Sequence, residues 1–258
     1  MSDARITLLD IESTPNLAYI WGMYEQNAIE FVDEWSILCF GAKELGSKDP
    51  VTVVARPDFK KEYNADPDSD LMVCEELWHL LDASSVIVGH NLDRFDCRKI
   101  NSRLLIHGFA PPSPYQTIDT LKVARRVFAM NSNKLQDLGV TLGIGKKEKH
   151  NGFATWKGAI NGVKSDWDDM IRYCAGDITL TEAVYYAIQP WIQGGPNLAF
   201  LNGTPEGCPN CGVVGQMTRQ GERKSRTMTY QRWLCGACCA WSRTVKSEKD
   251  ATKPTFTN

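Results

Sequence analysis

The stretch Arg5-Ile6-Thr7-Leu8-Leu9-Asp10-Ile11-Glu12-Ser13-Thr14 constrains this chain most. Ile6, Leu8, Leu9 and Ile11 give it the β-branched and apolar bulk of a central strand. A central strand has neighbours on both edges, so the chain must build its core on a sheet. The strand ends in two acids. Asp10 and Glu12 are two apart, so on an extended chain their side chains leave the same face. Side-by-side carboxylates repel each other and lose hydration. A bound cation removes that cost, and hard oxygen ligands suit Mg²⁺ or Mn²⁺. On the spacing alone, an ordinary strand edge running into a polar turn is the better account. The rest of the chain reverses that order.

Residues 15–24 carry Tyr19, Trp21 and Tyr24 and are expected to form a second strand with core aromatics. The alternative is a set of rings that stack on unpaired bases near the acids. Residues 36–42 and 51–55 read as further strands around a charged turn at 46–50, which predicts an antiparallel meander. A polar loop at 64–70 leads into a helix over 71–82, with Leu71, Leu77, Leu80 and Leu81 toward the core. A short buried strand at 85–89 opens directly into a helix that begins near His90 and runs to about His107. Pro111, Pro112 and Pro114 break the chain before a last short strand at 115–120 and its helix. Leu135, Leu138 and Leu142 mark another helix, closed by Gly143 and Gly145. Ser165 reads as the N-cap of a long final helix, with Asp168 completing a capping box, and Pro190 ends it. Strands that alternate with helices in this way predict an α/β sheet. Gly194-Gly195-Pro196 reads as the linker out of this domain.

Three further features join Asp10 and Glu12. Asp96 falls in the first turn of a helix that follows a buried strand, and ligands gather at the carboxyl ends of strands in open α/β sheets. Tyr173 and Asp177 are four apart and share a helix face. An acid buried in mid-helix needs a partner. Singly, Asp96 could be a charge meeting the helix dipole and Asp177 could be solvated. Together, Asp10-Ile11-Glu12, Asn91-x-x-x-Phe95-Asp96 and Tyr173-x-x-x-Asp177 resemble the three motifs of the DEDD superfamily of 3′→5′ exonucleases, in order and in interval. The histidine subclass would place His five residues before the last acid. That position is Arg172, so the resemblance is to the tyrosine subclass. It covers about residues 5–190. Trp21-Gly22, Pro111-Pro112-Ser113-Pro114-Tyr115, Ser132-Asn133-Lys134-Leu135 and Lys149-His150-x-Gly152-Phe153 are similar to phage-type stand-alone exonucleases with a C-terminal zinc ribbon.

The resemblance implies a ribonuclease H-like α/β domain over 1–195, with a mixed sheet flanked by helices. It implies removal of nucleotides from 3′ ends with two Mg²⁺ or Mn²⁺ ions about 4 Å apart. Asp10 would bridge both ions, Glu12 and Asp177 would complete one site, and Asp96 would support the other. Tyr173 would orient the attacking water as a neutral phenol. Asp93 and Asp119 stand outside the motif positions and are assigned no catalytic role. Asn91, Lys146, Lys147 and His150 are candidate contacts to the substrate strand, although a solvated loop accounts for the lysines better.

A second module follows. Nine cysteines is an odd count, and five of them crowd into 208–239. Cys208-x-x-Cys211 and Cys235-x-x-Cys238 form two knuckles that fit one structural Zn²⁺, in a ribbon over 204–247 followed by a flexible tail at 248–258. A zinc ribbon usually has glycine after the second cysteine of each knuckle. Gly212 obeys and Cys239 does not, which leaves Cys238 and Cys239 as rivals for the fourth ligand; the spacing favours Cys238. The net charge is −2, yet residues 201–258 hold nine Lys/Arg against four Asp/Glu. Arg223, Lys224 and Arg226, interleaved with Trp233, fit single-strand binding by charge and stacking. A purely structural or protein-docking ribbon is the competing account.

The expected partners are therefore single-stranded DNA or the 3′ ends of duplex DNA, with RNA left open, and a separate polymerase or replication protein. Two other functions compete: a proofreading or processing subunit active only with such a polymerase, and a binding module on an exonuclease-like scaffold. No apolar run is long enough to span a membrane, and the N-terminus has no signal-peptide core. Reduced, metal-binding cysteines fit a cytoplasmic setting, the host cytoplasm if the chain is phage-encoded.

Overall fold

The computed structural model describes residues 4–22, 24, 27–148, 151–225 and 228–244. His150, Arg226 and the tail expected at 248–258 lie outside the described residues.

The chain begins with the expected strand, β1 (Ile6–Ser13), and then leaves the sheet for a two-stranded ribbon, β2 (Leu17–Tyr19) and β3 (Glu30–Asp33). It returns as β4 (Ile37–Glu44) and β5 (Thr52–Ala55), followed by the helices α1 (Lys60–Ala65) and α2 (Leu71–Asp82). Next come β6 (Val86–Gly89), α3 (Asp96–Ile106), β7 (Gln116–Asp119), α4 (Thr120–Val127), α5 (Leu135–Thr141), α6 (Phe153–Ile160) and the long α7 (Lys164–Ile188). The main sheet has the order β5-β4-β1-β6-β7. β4 is antiparallel to both β1 and β5, while β6 is parallel to β1 and β7 is parallel to β6. β1 is therefore central, as its composition requires.

Alternation along β1 decides which way the acids face. Leu9 and Ile11 are buried in a core with Val73, Leu77 and Leu81 of α2 and Ile100 and Leu104 of α3. Asp10 and Glu12 therefore point to the opposite face. There Leu38 and Cys39 of β4 pack with Trp167, Met170 and Cys174 of α7. Gly41 pairs with Asp10 across the β1–β4 ladder. A Cβ at Gly41 would lie 2.9 Å from Ile178 Cγ1 and 3.0 Å from Cys174 Sγ. Only glycine lets α7 approach this closely, and the approach brings the helix face with Tyr173 and Asp177 over Asp10.

Two sequence expectations are corrected. The aromatics of 15–24 are not core residues: Tyr19, Trp21 and Tyr24 are 62%, 84% and 92% exposed. β2 pairs with β3 in a separate ribbon rather than with the main sheet, and no second layer covers it among the described residues. Ser165 is not the N-cap of α7, because the helix already includes Lys164 and so places Ser165 in its first turn.

The chain divides into two compact units, Arg5–Val184 and a second formed by Tyr185 onward together with Ala4. The last residues of α7 belong to the second unit. The polar groups of the helix end explain it. Gln189 Nε2 donates to Asn210 O at 3.1 Å, and Asn210 Nδ2 donates back to Gln189 O and Ile192 O, each at 3.1 Å. The second unit contains α8 (Leu198–Leu201) and a three-stranded antiparallel sheet of β8 (Met217–Lys224), β9 (Thr229–Cys235) and β10 (Trp241–Arg243), in the order β10-β9-β8.

Candidate active site and metal centres

β6 pairs with β1 only as far as Leu8, so the two strands part before the acids. The parting leaves the Ile11 N–H without a ladder partner on that side. A buried N–H must be satisfied, and Asp96, the first residue of α3, accepts it at 3.1 Å through Oδ1. Asp96 is thereby fixed beside β1 and is 2% exposed. Single carboxylate oxygens of Asp10, Glu12 and Asp177 all lie within 4.8 Å of one another. The Asp96 oxygens are not part of that trio.

Lys147 enters the same cluster. Its Nζ donates to Asp177 Oδ2 at 2.5 Å and to the Tyr173 hydroxyl oxygen at 2.8 Å. Burial works against the Lys147 charge, but Asp177 and Tyr173 outweigh it and raise the lysine's pKa above its ordinary value. Lys147 is thus not a solvated loop lysine, whereas Lys146 is exposed. Burial, reinforced by Asp177, raises the Tyr173 pKa, so the phenol keeps its proton at neutral pH. Asp119 is the N-cap of α4 and accepts from the N–H groups of Leu121 and Asn91, each at 3.0 Å. Asp93 pairs with Lys122 at 2.6 Å on the surface. Asn91 takes φ 66° and, with Lys147, Arg94, Arg125 and Lys134, lines a cavity of about 840 Å³.

Three hard oxygen donors this close repel one another, and the donor set fits a divalent cation. Burial and the neighbouring charges both act on the acids. Burial, then Asp96 and Asp177, holds the Asp10 pKa well above the usual carboxylate range. Burial, then Asp10 and Asp177, does the same for Glu12. Burial carries Asp96 to about 7, against the opposing Ile11 N–H. These carboxyls hold protons more tightly in the folded chain than in the unfolded one. Their share of stability is full below the ordinary carboxylate range and is lost as pH rises toward about 7 for Asp96. A cation favours the ionised forms and opposes that loss. In chelator, the melting temperature should fall between about pH 5 and about pH 8, and added Mg²⁺ should restore more at the higher pH. A Mg²⁺ shift that is equal at both pH values would show that these carboxylates do not hold the ion.

The second unit brings together four thiols. Sγ atoms of Cys208, Cys211, Cys235 and Cys238 all lie within 4.8 Å of one another. Cys208 and Cys238 are 3.6 Å apart, and Cys211 and Cys235 are 3.7 Å apart. Four sulfurs placed tetrahedrally about 2.3 Å from a zinc would be separated by about 3.8 Å, so the cluster fits Zn²⁺. Cys239 is exposed and lies outside it. The knuckles are built alike. Gly212 N–H donates to Cys208 O at 2.8 Å, and Cys239 N–H donates to Cys235 O at 3.0 Å. Gly212 has φ 76° and Cys239 has φ 60°, so Cys239 occupies the left-handed position that a zinc ribbon normally gives to glycine. Arg223 and Lys224 are exposed on β8, whereas Trp233 is only half-exposed. The more open ring is Trp241, with the Arg232 guanidinium 4.5 Å from its centroid.

The sequence reading missed a third polar group. Asp70 is fully buried and accepts from the Ile37 N–H at 2.9 Å and from Arg103 Nε and Nη2 at 2.7 and 2.6 Å. His107 Nε2 lies 2.6 Å from it. Although Cys74 completes a possible ligand trio, Ile37, Arg103 and His107 already occupy both Asp70 oxygens. The group ties β4, α2 and α3 together.

No protein-family model matches the chain. Protein NEN3 of Arabidopsis thaliana is 28% identical over 141 residues, which are 54% of this chain and 24% of that protein. The family B DNA polymerase of the hyperthermophilic archaeon Pyrobaculum calidifontis superposes with a TM-score of 0.53 at 14% identity, over 73% of this chain and 25% of the polymerase. The chain thus spans about a quarter of the length of each. The structural likeness shows the fold: a mixed five-stranded sheet flanked by helices, of the ribonuclease H-like type.

Proposed function

We propose that this chain is a metal-dependent nuclease of the tyrosine DEDD type that removes nucleotides from the 3′ ends of nucleic acid, with DNA favoured. The observation that carries the reading is the convergence of Asp10, Glu12 and Asp177 on one point, with Tyr173 held beside them through Lys147. Asp10, Glu12 and Asp177 would hold one Mg²⁺ or Mn²⁺, and Asp96 with Asp10 would support a second. Bound there, the ions supply Lewis-acid activation of water and charge neutralisation at a phosphodiester.

The remaining work falls to the chain. Tyr173 keeps its proton, so its hydroxyl serves as a hydrogen-bond partner that orients the attacking water rather than as a base. Lys147 aims the phenol and contributes positive charge where a scissile phosphate would sit. Asp96, locked on the Ile11 N–H, ties the start of α3 to the end of β1. The cysteine cluster would hold one structural Zn²⁺ in a C-terminal ribbon over 204–247, with Arg223 and Lys224 toward the phosphates of a single strand. A separate polymerase or replication protein remains a candidate partner. A binding module with a dead site is disfavoured by the complete set of acids.

The test is digestion of a 5′-labelled single strand in Mg²⁺ and in Mn²⁺, with a matched RNA. The expected product is a ladder that shortens one nucleotide at a time from the 3′ end and vanishes in chelator. Internal cuts alone, or release of the 5′ label as a mononucleotide, would overturn the assignment of direction.

A further inference from the structure

One cation near the acids is held in a way the mechanism does not use. Lys99 lies on α3, and its N–H closes the helix turn on Phe95 O at 3.0 Å. Its side chain runs back toward the end of β1, where Nζ donates to Ser13 Oγ at 2.6 Å. The ammonium sits 4.3 Å from the Trp35 ring centroid and 4.7 Å from that of Phe95. The Trp35 backbone is held in turn, since its main-chain N–H donates to Asn16 Oδ1 at 2.9 Å. The fields of Asp96 and Glu12 both reach the ammonium, so the cation stands near two of the acids.

Its partners distinguish it from the lysines of this unit that pair with acids. Lys147, Lys122 and Lys43 each pair with a carboxylate at 2.5 or 2.6 Å. Lys99 feels the fields of Asp96 and Glu12 but, among the described residues, has no carboxylate at ion-pair distance. Aromatic faces hold a cation without cancelling its charge. An ammonium has three donors, and Ser13 takes one. A half-buried positive charge with donors to spare, at the edge of an anion-processing site, suits a phosphate oxygen.

We propose that Lys99, clamped between Trp35 and Phe95, is a substrate-binding residue that holds a backbone phosphate of the substrate strand other than the scissile one. This rests on the exonuclease reading of the acids beside it. The site acts on charge and not on base identity, so it would grip any sequence.

The experiment uses the full chain with Lys99→Met, which keeps the packing against both rings, and Lys99→Arg, which keeps the charge. Binding of a single-stranded DNA is measured in Ca²⁺, where cleavage is suppressed, and single-turnover cleavage in Mg²⁺. A set of strands carries one uncharged methylphosphonate, moved stepwise from the second to the fifth linkage from the 3′ end. Lys99→Met should weaken binding and raise KM about tenfold while kcat changes by less than about twofold, and Lys99→Arg should restore most of the loss. At one linkage the methylphosphonate should weaken the wild-type chain and leave Lys99→Met unaffected. Equal affinities for wild type and Lys99→Met, or identical methylphosphonate penalties at every linkage, would overturn the proposal. A wild-type chain that never shortens 3′ ends would instead sink the exonuclease reading, and the binding scan would still read Lys99 separately.

Discussion

Asp177→Asn should lower single-turnover cleavage by about a thousandfold or more while the chain stays folded. The substitution keeps the shape of the side chain and removes one charge from a trio whose oxygens lie within 4.8 Å of one another. A neutral amide is a weak ligand for a hard cation, and two carboxylates hold it less tightly than three. The amide oxygen can still accept from Lys147, so the link from Lys147 to Tyr173 survives and the helix is not disturbed. The loss therefore belongs to the metal and not to packing. Asp10→Asn should behave the same way. Asp93→Asn is the internal control, because that carboxylate pairs with Lys122 on the surface and should cost nothing measurable. The measurement is the rate of shortening of a 5′-labelled strand at saturating Mg²⁺, with melting curves for each variant. Near-wild-type cleavage by Asp177→Asn would remove the acid trio from the mechanism.

How much of this was readable beforehand depended on whether a local pattern determined the outcome. β1 was legible because a run of apolar β-branched residues can satisfy its burial in few other ways. α2 falls at Leu71–Asp82, the span its leucine spacing predicts. Tyr173 and Asp177 were legible as a pair because helix geometry alone places them on one face. The ribbon of β2 and β3 was not, since alternation and aromatic content identify a strand but not the sheet it joins. Lys147 was hidden for a related reason. A loop with three lysines has no period, so nothing local tells which of them turns inward. Lys99 and Trp35 are brought together only by tertiary structure, being 64 positions apart. That the Cys238 thiol joins the four-thiol cluster while Cys239 stays outside it agrees with the C-x-x-C spacing. The reason Cys239 is tolerated lies in a backbone angle that the sequence does not display.

Loss of zinc should produce the other large effect, and it should separate binding from chemistry. Cys208 is fully buried, and its Sγ belongs to the four-thiol cluster. Structural zinc contributes about 10–16 kcal/mol in small metal-held modules, more than β8 to β10 could supply from their largely exposed side chains. Cys208→Ser should therefore release the zinc and unfold the ribbon. Cutting the chain at 195 is a poorer test, because it removes Asn210 from its bonds to Gln189 and Ile192. With the ribbon lost, Arg219, Arg223, Lys224, Arg232 and Arg243 no longer form an ordered basic surface. Each phosphate contact to a single strand contributes about 0.7 to the slope of log affinity against log salt, so both affinity and slope should fall. The rate at saturating substrate should hold, since no acid of the first unit is touched. Cys239→Gly should do the reverse. It relieves a left-handed φ of 60°, removes no thiol of the cluster, and should stabilise the knuckle by about 1 kcal/mol. The measurements are zinc stoichiometry, thermal melting, and DNA binding against salt in Ca²⁺. Unchanged affinity and slope in zinc-free Cys208→Ser would show that the ribbon does not hold nucleic acid, and its basic face would then be a surface for a protein partner.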